Sequence, residues 1–171
     1  RFGWHRDNTI GSTPQKNNWT DDWVTFWHDL RFGFQLQLAV SNGLGRQVEK
    51  QGEKLMSKFE AFFQSYQPEA SLLHGDLWSG NAGFDTQGTP VIFDPAVYYG
   101  DRETDIAMTE LFGGFPGEFY TAYNEAWPLD KGYQQRKRLY NLYHILNHAN
   151  LFGGGSAHQA ESMMTPLLSK L

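Results

Sequence analysis

The sequence predicts an α+β fold that is predominantly helical, and three observations support this prediction. Apolar residues recur at helical spacing in both the first and the last third of the chain. The middle of the chain has short apolar runs separated by Gly, Pro and Asp, a pattern typical of short strands joined by tight loops. The length of 171 residues and the hydrophobic content of 40% suit one domain with its own core.

The first third of the chain predicts an extended segment followed by two helices. Residues 1–19 are rich in turn formers and lack a clear period, so we expect an extended surface segment. Thr20 or Asp21 is expected to cap the first helix. The apolar stripe of that helix consists of Trp23, Phe26, Trp27, Leu30 and Phe34. After a break at residues 41–45, a second stripe ends before Pro68 and consists of Val48, Leu55, Phe59, Phe62 and Phe63.

The rest of the chain predicts a β-rich centre and then further helices. Leu72–Leu73 and Val91–Phe93 are the expected strands, and DTQG (85–88) is the expected hairpin turn. Helical spacing returns after Asp105. One strong helix is expected to stop at Gly153–Gly155, and a last helix follows it. Their apolar positions are Leu139, Leu142, Tyr143 and Leu146, and then Ala160, Met163, Met164, Leu167 and Leu168.

Composition excludes several classes of protein. The formal net charge is −5, and the only basic run, residues 136–138, is most simply the solvated start of a helix. Nucleic acid is therefore not an expected partner, because phosphate neutralisation needs a basic face. No apolar stretch approaches the ~18 residues of a membrane span. The absence of cysteine excludes disulfides and thiolate zinc sites. With no signal-peptide pattern in the chain, we expect a cytoplasmic location.

The polar residues that suggest chemistry are concentrated in the centre. Asp76, Asn81 and Asp94 lie on loops that flank the short strands. Mg²⁺ prefers oxygen ligands and usually takes few of them from protein. Asn81 and Asp94 can supply such ligands, which leaves Asp76 free to accept a proton, and phosphoryl transfer needs this combination. Each residue alone is more simply a turn residue, but the ordered set favours a catalytic role.

The ordered motifs of the centre resemble those of a known kinase branch. HGDLWSGN (74–81), IFDPA (92–96) and GDRETDIAM (100–108) resemble the catalytic core of the aminoglycoside/choline kinase-like branch of the protein-kinase fold. Within that branch, the chain is similar to the fructosamine (ketosamine) kinase family. Two flanking segments, 17–39 and 142–155, extend the resemblance to almost the whole chain.

The resemblance implies ATP-dependent phosphorylation of a sugar hydroxyl on ketosamines, which are small glycated amines, with ATP and Mg²⁺ as cofactors. The roles it implies are catalytic base for Asp76, Mg²⁺ ligand for Asn81 and Asp94, support of the catalytic loop for His74 and Asp105, and an apolar floor under the nucleotide for Ile92. Trp78 stands two residues after the base, where protein kinases have a lysine. This difference favours a small-molecule acceptor whose sugar lies against the indole.

The resemblance also implies that residues 1–171 are the C-terminal, catalytic lobe alone, with the catalytic loop and metal site at residues 72–105. The N-terminal lobe of the family carries a β-sheet, a lysine that anchors ATP and a hinge that binds adenine. None of these features precedes Thr20. We therefore expect the missing lobe in a parent protein, and we expect this chain by itself to be inactive.

Several alternatives remain open at this point. The acceptor of a related phosphotransferase would be an aminoglycoside, choline or homoserine, and a third hypothesis is an inactive C-lobe fragment. His144 and His148 have a spacing that suits a metal, but buried or interfacial histidines are the simpler interpretation. Glu118, Glu125 and Asp130 suggest a glycosidase carboxylate pair, although nothing in the sequence orders them. The Trp/Phe stripe at residues 23–34 suits a carbohydrate platform less well than it suits core packing.

Overall fold

Seven α-helices and three pairs of short strands make up the structure, a computed structural model that describes residues 1–171. The helices are α1 (Trp23–Trp27), α2 (Gly33–Ser41), α3 (Arg46–Met56), α4 (Glu103–Thr109), α5 (Gly117–Ala126), α6 (Tyr133–Phe152) and α7 (Gly155–Ser169). The strands are β1 (Asn8–Ile10), β2 (Thr13–Gln15), β3 (Ala70–Leu73), β4 (Ala82–Phe84), β5 (Pro90–Ile92) and β6 (Tyr98–Asp101). The predicted helical α+β class is confirmed. None of the helices is both long enough and apolar enough to cross a membrane.

Helix α6 lies at the centre, and α2, α4 and α7 pack against it. Its buried side chains point to several sides of the helix, which is typical of a core helix. The helix ends where the sequence predicted, because Gly153 adopts a positive φ of 66°. The last helix, α7, then buries three of its predicted positions, Ala160, Met164 and Leu167.

A π-helical turn at residues 28–32 changes the buried face of the first helical region. The predicted cap is also displaced by one residue, because the Asp22 carboxylate accepts the Thr25 amide at 2.7 Å. A π turn contains more residues than an α turn, so the residues after it are rotated about the helix axis. Arg31 and Phe32 are fully buried, whereas the predicted Leu30 and Phe34 are only half-buried. The aromatic stripe that precedes this turn packs in the core, as expected.

The prediction of a surface segment over residues 1–19 is wrong. This segment contains the β1–β2 hairpin, and both Phe2 and Ile10 belong to the core. The polar side chain of Gln15 is buried because it has partners on two other segments. Gln15 donates to the Ala96 carbonyl at 3.1 Å and accepts from the Tyr143 hydroxyl at 2.7 Å. Burial through such polar contacts leaves no apolar period in the sequence.

The expectation of a solvated basic run is wrong at Arg136. This side chain is only 3% exposed, and its guanidinium donates to both carboxylate oxygens of Glu103, at 2.7 and 2.9 Å. It also donates to Asp130 at 2.7 Å. A buried cation needs such carboxylate partners, and Glu103 lies on α4, far from α6 in sequence. The neighbouring Arg138 is exposed, as expected.

The β-rich centre follows the prediction closely. Strands β4 and β5 form a hairpin whose turn is residues 85–88, with Gly88 at a φ of +79°. Strands β3 and β6 pair antiparallel, so the segment from residue 74 to residue 97 leaves this small sheet and returns to it. Helix α4 begins at Glu103, three residues before the expected start after Asp105, so Asp105 lies in its first turn. This arrangement brings the start of α4 next to the loop that follows β3.

Candidate active site

The carboxylate of Asp105 holds the loop that follows β3. Its Oδ2 accepts the His74 amide at 2.8 Å, and its Oδ1 accepts the Gly75 amide at 2.9 Å. Gly75 has a φ of +86°, and a Cβ there would overlap the carbonyl oxygen of Ala96. Only glycine allows this close approach of two backbones. The loop is therefore fixed to α4 on one side and to residues 93–96 on the other.

His74 ties the same loop to the segment that contains Asp94. Its Nε2 lies 2.7 Å from the Phe93 carbonyl, and its Nδ1 accepts the Asp76 amide at 3.2 Å. Because a carbonyl only accepts and an amide only donates, these bonds assign the neutral ring with its proton on Nε2. The Ala96 amide also donates to the His74 carbonyl at 2.8 Å. Asp94 therefore lies between two residues that are bonded to His74.

Asp76 and Asn81 are in direct contact. Asn81 Nδ2 donates to the Asp76 carbonyl at 2.9 Å and to its carboxylate at 3.3 Å. This leaves Asn81 Oδ1 available as an oxygen ligand. Burial raises the pKa of the Asp76 carboxyl, and the charges of Asp94 and Asp105 raise it further. These effects make the carboxylate a better proton acceptor than a free aspartate.

Asp94 is the one non-glycine residue with a positive φ, at +55°. This conformation costs energy for most side chains, and such residues concentrate at functional sites. The Phe93 amide donates to the Asn81 carbonyl at 3.0 Å, which keeps Asp94 beside Asn81. Its side chain is exposed. Ile92 lies on β5, two residues before Asp94, and is 61% exposed. It does not line the cleft that contains Asp76, which is described next.

A cleft of about 370 Å³ opens beside Asp76. Trp78 forms one wall, and its indole is 37% exposed and meets Phe112 edge to face, with ring centroids 6.0 Å apart. The indole lies over Gly80, where a Cβ would overlap the ring. Helix α6 forms the opposite wall with His144, Asn147 and His148, among other residues. The predicted base and the predicted acceptor-binding residue therefore share one cleft.

The polar wall on α6 is the part of the site that sequence reasoning missed. His144 is buried, as expected, whereas His148 is exposed. His144, Asn147 and His148 are spaced at i, i+3 and i+4, which places all three on one helix face. This spacing was the sequence feature from which the wall could have been predicted. Burial lowers the pKa of His144 from 6.5 to about 3, with contributions from Arg31 and His148, so its ring is neutral. The chain contains no cluster of three or more His, Cys, Asp or Glu that would hold a metal.

The profile of the fructosamine kinase family matches residues 1–170. This chain belongs to the fructosamine kinase family. A probable ketoamine kinase of Synechocystis is 54% identical over 168 residues, which are 98% of this chain and 56% of that protein. A chloroplastic protein-ribulosamine 3-kinase of rice, Oryza sativa, is 46% identical over 170 residues, which are 99% of this chain and 49% of that protein.

Solved structures of the same family have the same fold. A Thermobifida fusca protein named as a fructosamine-3-kinase superposes with a TM-score of 0.89 at 32% identity, over 98% of this chain and 58% of that one. A Haemophilus somnus protein of the same name gives a TM-score of 0.87, also at 32% identity, over 98% of this chain and 56% of that one. The chain spans about half the length of the curated relatives that it matches. The cytoplasmic location expected from the sequence stays a prediction.

The glycosidase alternative has no support in this member of the fructosamine kinase family. Glu118 and Glu125 are exposed on α5, and Asp130 pairs with Arg136. Asp101, from the same motif as Asp105, is buried away from the loop and accepts hydrogen bonds from two tyrosine hydroxyls.

The burial of His144 predicts a specific loss of stability in acid. The pKa of His144 is about 3 when folded and near 6.5 when unfolded, so between these values the unfolded state binds more protons. Stability is therefore lost as pH falls from 6.5 towards 3. Between pH 7 and pH 5, the free energy of unfolding of the wild type should fall by about 2 kcal/mol more than that of His144→Phe, as measured by urea denaturation. His158→Phe, at an exposed position on α7, is the control. Parallel pH profiles for His144→Phe and the wild type would contradict the burial of a neutral ring.

Proposed function

We propose that this chain is the catalytic and acceptor-binding part of an ATP-dependent kinase that phosphorylates a sugar hydroxyl of ketosamines. The single observation that carries the proposal is the cleft in which Asp76 faces both an exposed indole and the polar wall of α6. The names of the relatives, ketoamine kinase and protein-ribulosamine 3-kinase, support the substrate class. An aromatic wall opposite polar groups suits a sugar, which has both C–H faces and hydroxyls.

In this proposal, Asp76 is the base that orients the acceptor hydroxyl. The hydroxyl oxygen forms a bond to the γ-phosphorus of ATP, the bond from that phosphorus to the β,γ-bridging oxygen breaks, and ADP leaves. The hydroxyl proton passes to the Asp76 carboxylate. Two observations support this role. The raised pKa of Asp76 makes its carboxylate a stronger base. The hydrogen bond that the carboxylate accepts from Asn81 holds it in position.

Asn81 and Asp94 are the proposed ligands of Mg²⁺. The donor set fits this ion, since Asn81 Oδ1 and the exposed Asp94 carboxylate are hard oxygen donors next to the base. The small number of protein donors also fits, because Mg²⁺ usually keeps its other positions for water and phosphate. When bound, the ion neutralises charge on the transferring phosphates. His74 and Asp105 hold the loop and segment that carry these donors.

We also propose that the nucleotide is held jointly with a second, N-terminal lobe. The β4–β5 hairpin exposes an apolar surface at Phe84, Val91, Ile92 and Phe93, and this surface suits an adenine floor or a lobe contact. The curated relatives are about twice as long as the part that this chain matches. Without groups that grip the phosphates from the other side, most of the electrostatic catalysis is absent. We therefore expect residues 1–171 alone to be inactive.

A related phosphotransferase with an aminoglycoside, choline or homoserine acceptor is the second candidate. The same base and metal ligands would serve it. An indole beside the base suits the C–H face of any sugar, so the observation that favours the ketosamine over these acceptors is the names of the relatives. Comparing these acceptors in one assay separates the two candidates.

The role of Asp76 is tested by Asp76→Asn in the full-length protein that carries this chain. The amide keeps the shape of the side chain but accepts no proton at neutral pH, so kcat for phosphorylation of fructosyllysine should fall by about 100-fold or more. The temperature of half-unfolding should change little, because the carboxylate stabilises the fold only through Asn81. A kcat within a few-fold of the wild type, in a folded variant, would remove Asp76 as the base.

The role of Trp78 is tested by Trp78→Ala. Losing the indole should raise the KM for fructosyllysine by about tenfold or more, while the KM for ATP stays within about twofold. Trp19→Ala is a suitable control, because it removes an exposed indole that lies outside this cleft and should leave both KM values unchanged. Equal increases in both KM values for Trp78→Ala would indicate that Trp78 only supports the loop.

A further inference from the structure

The α6 wall of the cleft carries polar atoms that the chain itself does not satisfy. His144 is only 7% exposed and lines the cleft, and neither nitrogen of its ring has a hydrogen-bond partner. Asn147 is 6% exposed, and its Oδ1 accepts from Gln35 Nε2 at 3.0 Å while its Nδ2 has no partner. These atoms are not among the fully buried side-chain atoms that lack a partner, so they are open to the cleft although most of each side chain is buried. Free polar atoms on side chains that are held in place at a cleft can orient a ligand.

Three side-chain amides behind Asn147 determine which of its atoms faces the cleft. Asn150 Nδ2 donates to the backbone carbonyl of Gln35 at 3.0 Å, and because a carbonyl only accepts, the orientation of Asn150 is fixed. The same Nδ2 donates to Gln35 Oε1 at 2.8 Å, which leaves Gln35 Nε2 to donate to Asn147 Oδ1. At the outer end, Asn42 Nδ2 donates to Asn150 Oδ1 at 3.1 Å.

We propose that these four residues form an amide relay that presents Asn147 Nδ2 as a hydrogen-bond donor to an oxygen of the acceptor. Asn147 is then a specificity-determining residue, and Gln35 and Asn150 are positioning residues that never touch the ligand. This inference rests on the proposed function, since the acceptor must bind in this cleft. The ligand class is a polyhydroxylated acceptor whose hydroxyl or carbonyl oxygen accepts the bond while Trp78 covers its C–H face.

The burial of Gln35 and Asn147 fixes the orientation of the two inner amides of the relay. Gln35 is fully buried, so water does not compete for its amide. If any one amide of the relay turned by 180°, its NH2 group would face a neighbouring NH2 group or its oxygen would face a neighbouring oxygen. Such a turn at Asn147 would bring an oxygen towards the ligand oxygen in place of a donor. Losing a hydrogen bond and leaving buried groups unpaired in this way weakens binding by about tenfold or more.

Asn150→Asp tests the relay from a position outside the cleft. The aspartate offers only acceptor oxygens, so Gln35 turns its Nε2 towards the carboxylate and its Oε1 towards Asn147. Asn147 then turns to donate to Gln35 and presents its own oxygen to the cleft. In the full-length protein that carries this chain, the KM for fructosyllysine should rise by about tenfold. The KM for ATP should stay within twofold.

Two further variants separate positioning from a general structural effect. Gln37→Glu makes the same amide-to-carboxylate change at an exposed position on α2 and should leave both KM values unchanged. Asn147→Ala removes the donor itself and should raise the KM for fructosyllysine as Asn150→Asp does. Because both changes act through one atom, Asn150→Asp should add nothing in the Asn147→Ala background. Should Asn150→Asp fail to fold, Gln35→Met interrupts the relay at the next amide and carries the same expectation.

The outcomes distinguish this inference from the proposed function. A wild-type protein that transfers no phosphate to fructosyllysine overturns the proposed function, and the inference falls with it. An active wild type whose Asn150→Asp variant keeps its KM for fructosyllysine within twofold overturns the inference alone. A fully additive effect of Asn150→Asp and Asn147→Ala also overturns it, because Asn150 would then act through something other than Asn147.

Discussion

The two hydrogen bonds that Asp105 accepts from the amides of His74 and Gly75 are the contact on which the site depends. They join the first turn of α4 to the loop after β3. Gly75 then leaves room for the returning backbone at Ala96, and His74 reaches across to Phe93. The loop after β3 and the segment at residues 93–96 are thereby held side by side. Asp105 fixes to α4 a loop that is joined to the Asp94 segment by its own hydrogen bonds.

Helix α6 has two functions that depend on its central place in the fold. Most of its side chains are packed among α2, α4 and α7, which fixes the axis of the helix. The face with His144, Asn147 and His148 remains uncovered and forms one wall of the cleft. A rigid core helix is a precise support for such a wall, because its side chains are held by close packing. The same packing buries Gln35 and Asn147, so the core also sets the polarity of the site.

The sequence predicted that the candidate site residues lie on neighbouring loops, while their roles stay predictions. Asp76, Trp78, Asn81 and Asp94 all lie within 19 residues, and short strands with tight turns bring such residues close together. The C-terminal end of α6 and the hairpin at residues 85–88 were also predictable, because glycine at positive φ is a local signal.

The parts that the sequence did not reveal all depend on contacts between distant segments. The π turn buries Arg31, whose guanidinium lies 4.0 Å from the centre of the Tyr98 ring, and this contact has no local signal. Gln15 and Arg136 are buried because their partners come from other elements, so their polarity alone predicted exposure. The face of α6 that carries Asn147 was visible in the spacing, but the cleft that it faces was not.

The most direct test of this account is the kcat of an Asp105→Asn variant of the full-length protein that carries this chain, with fructosyllysine as acceptor. The asparagine has one acceptor oxygen where the carboxylate has two, so one amide of the loop loses its partner. The account predicts that kcat falls by about 100-fold or more, since a small displacement of the base costs about this much. A folded Asp105→Asn variant with a kcat within twofold of the wild type would contradict it.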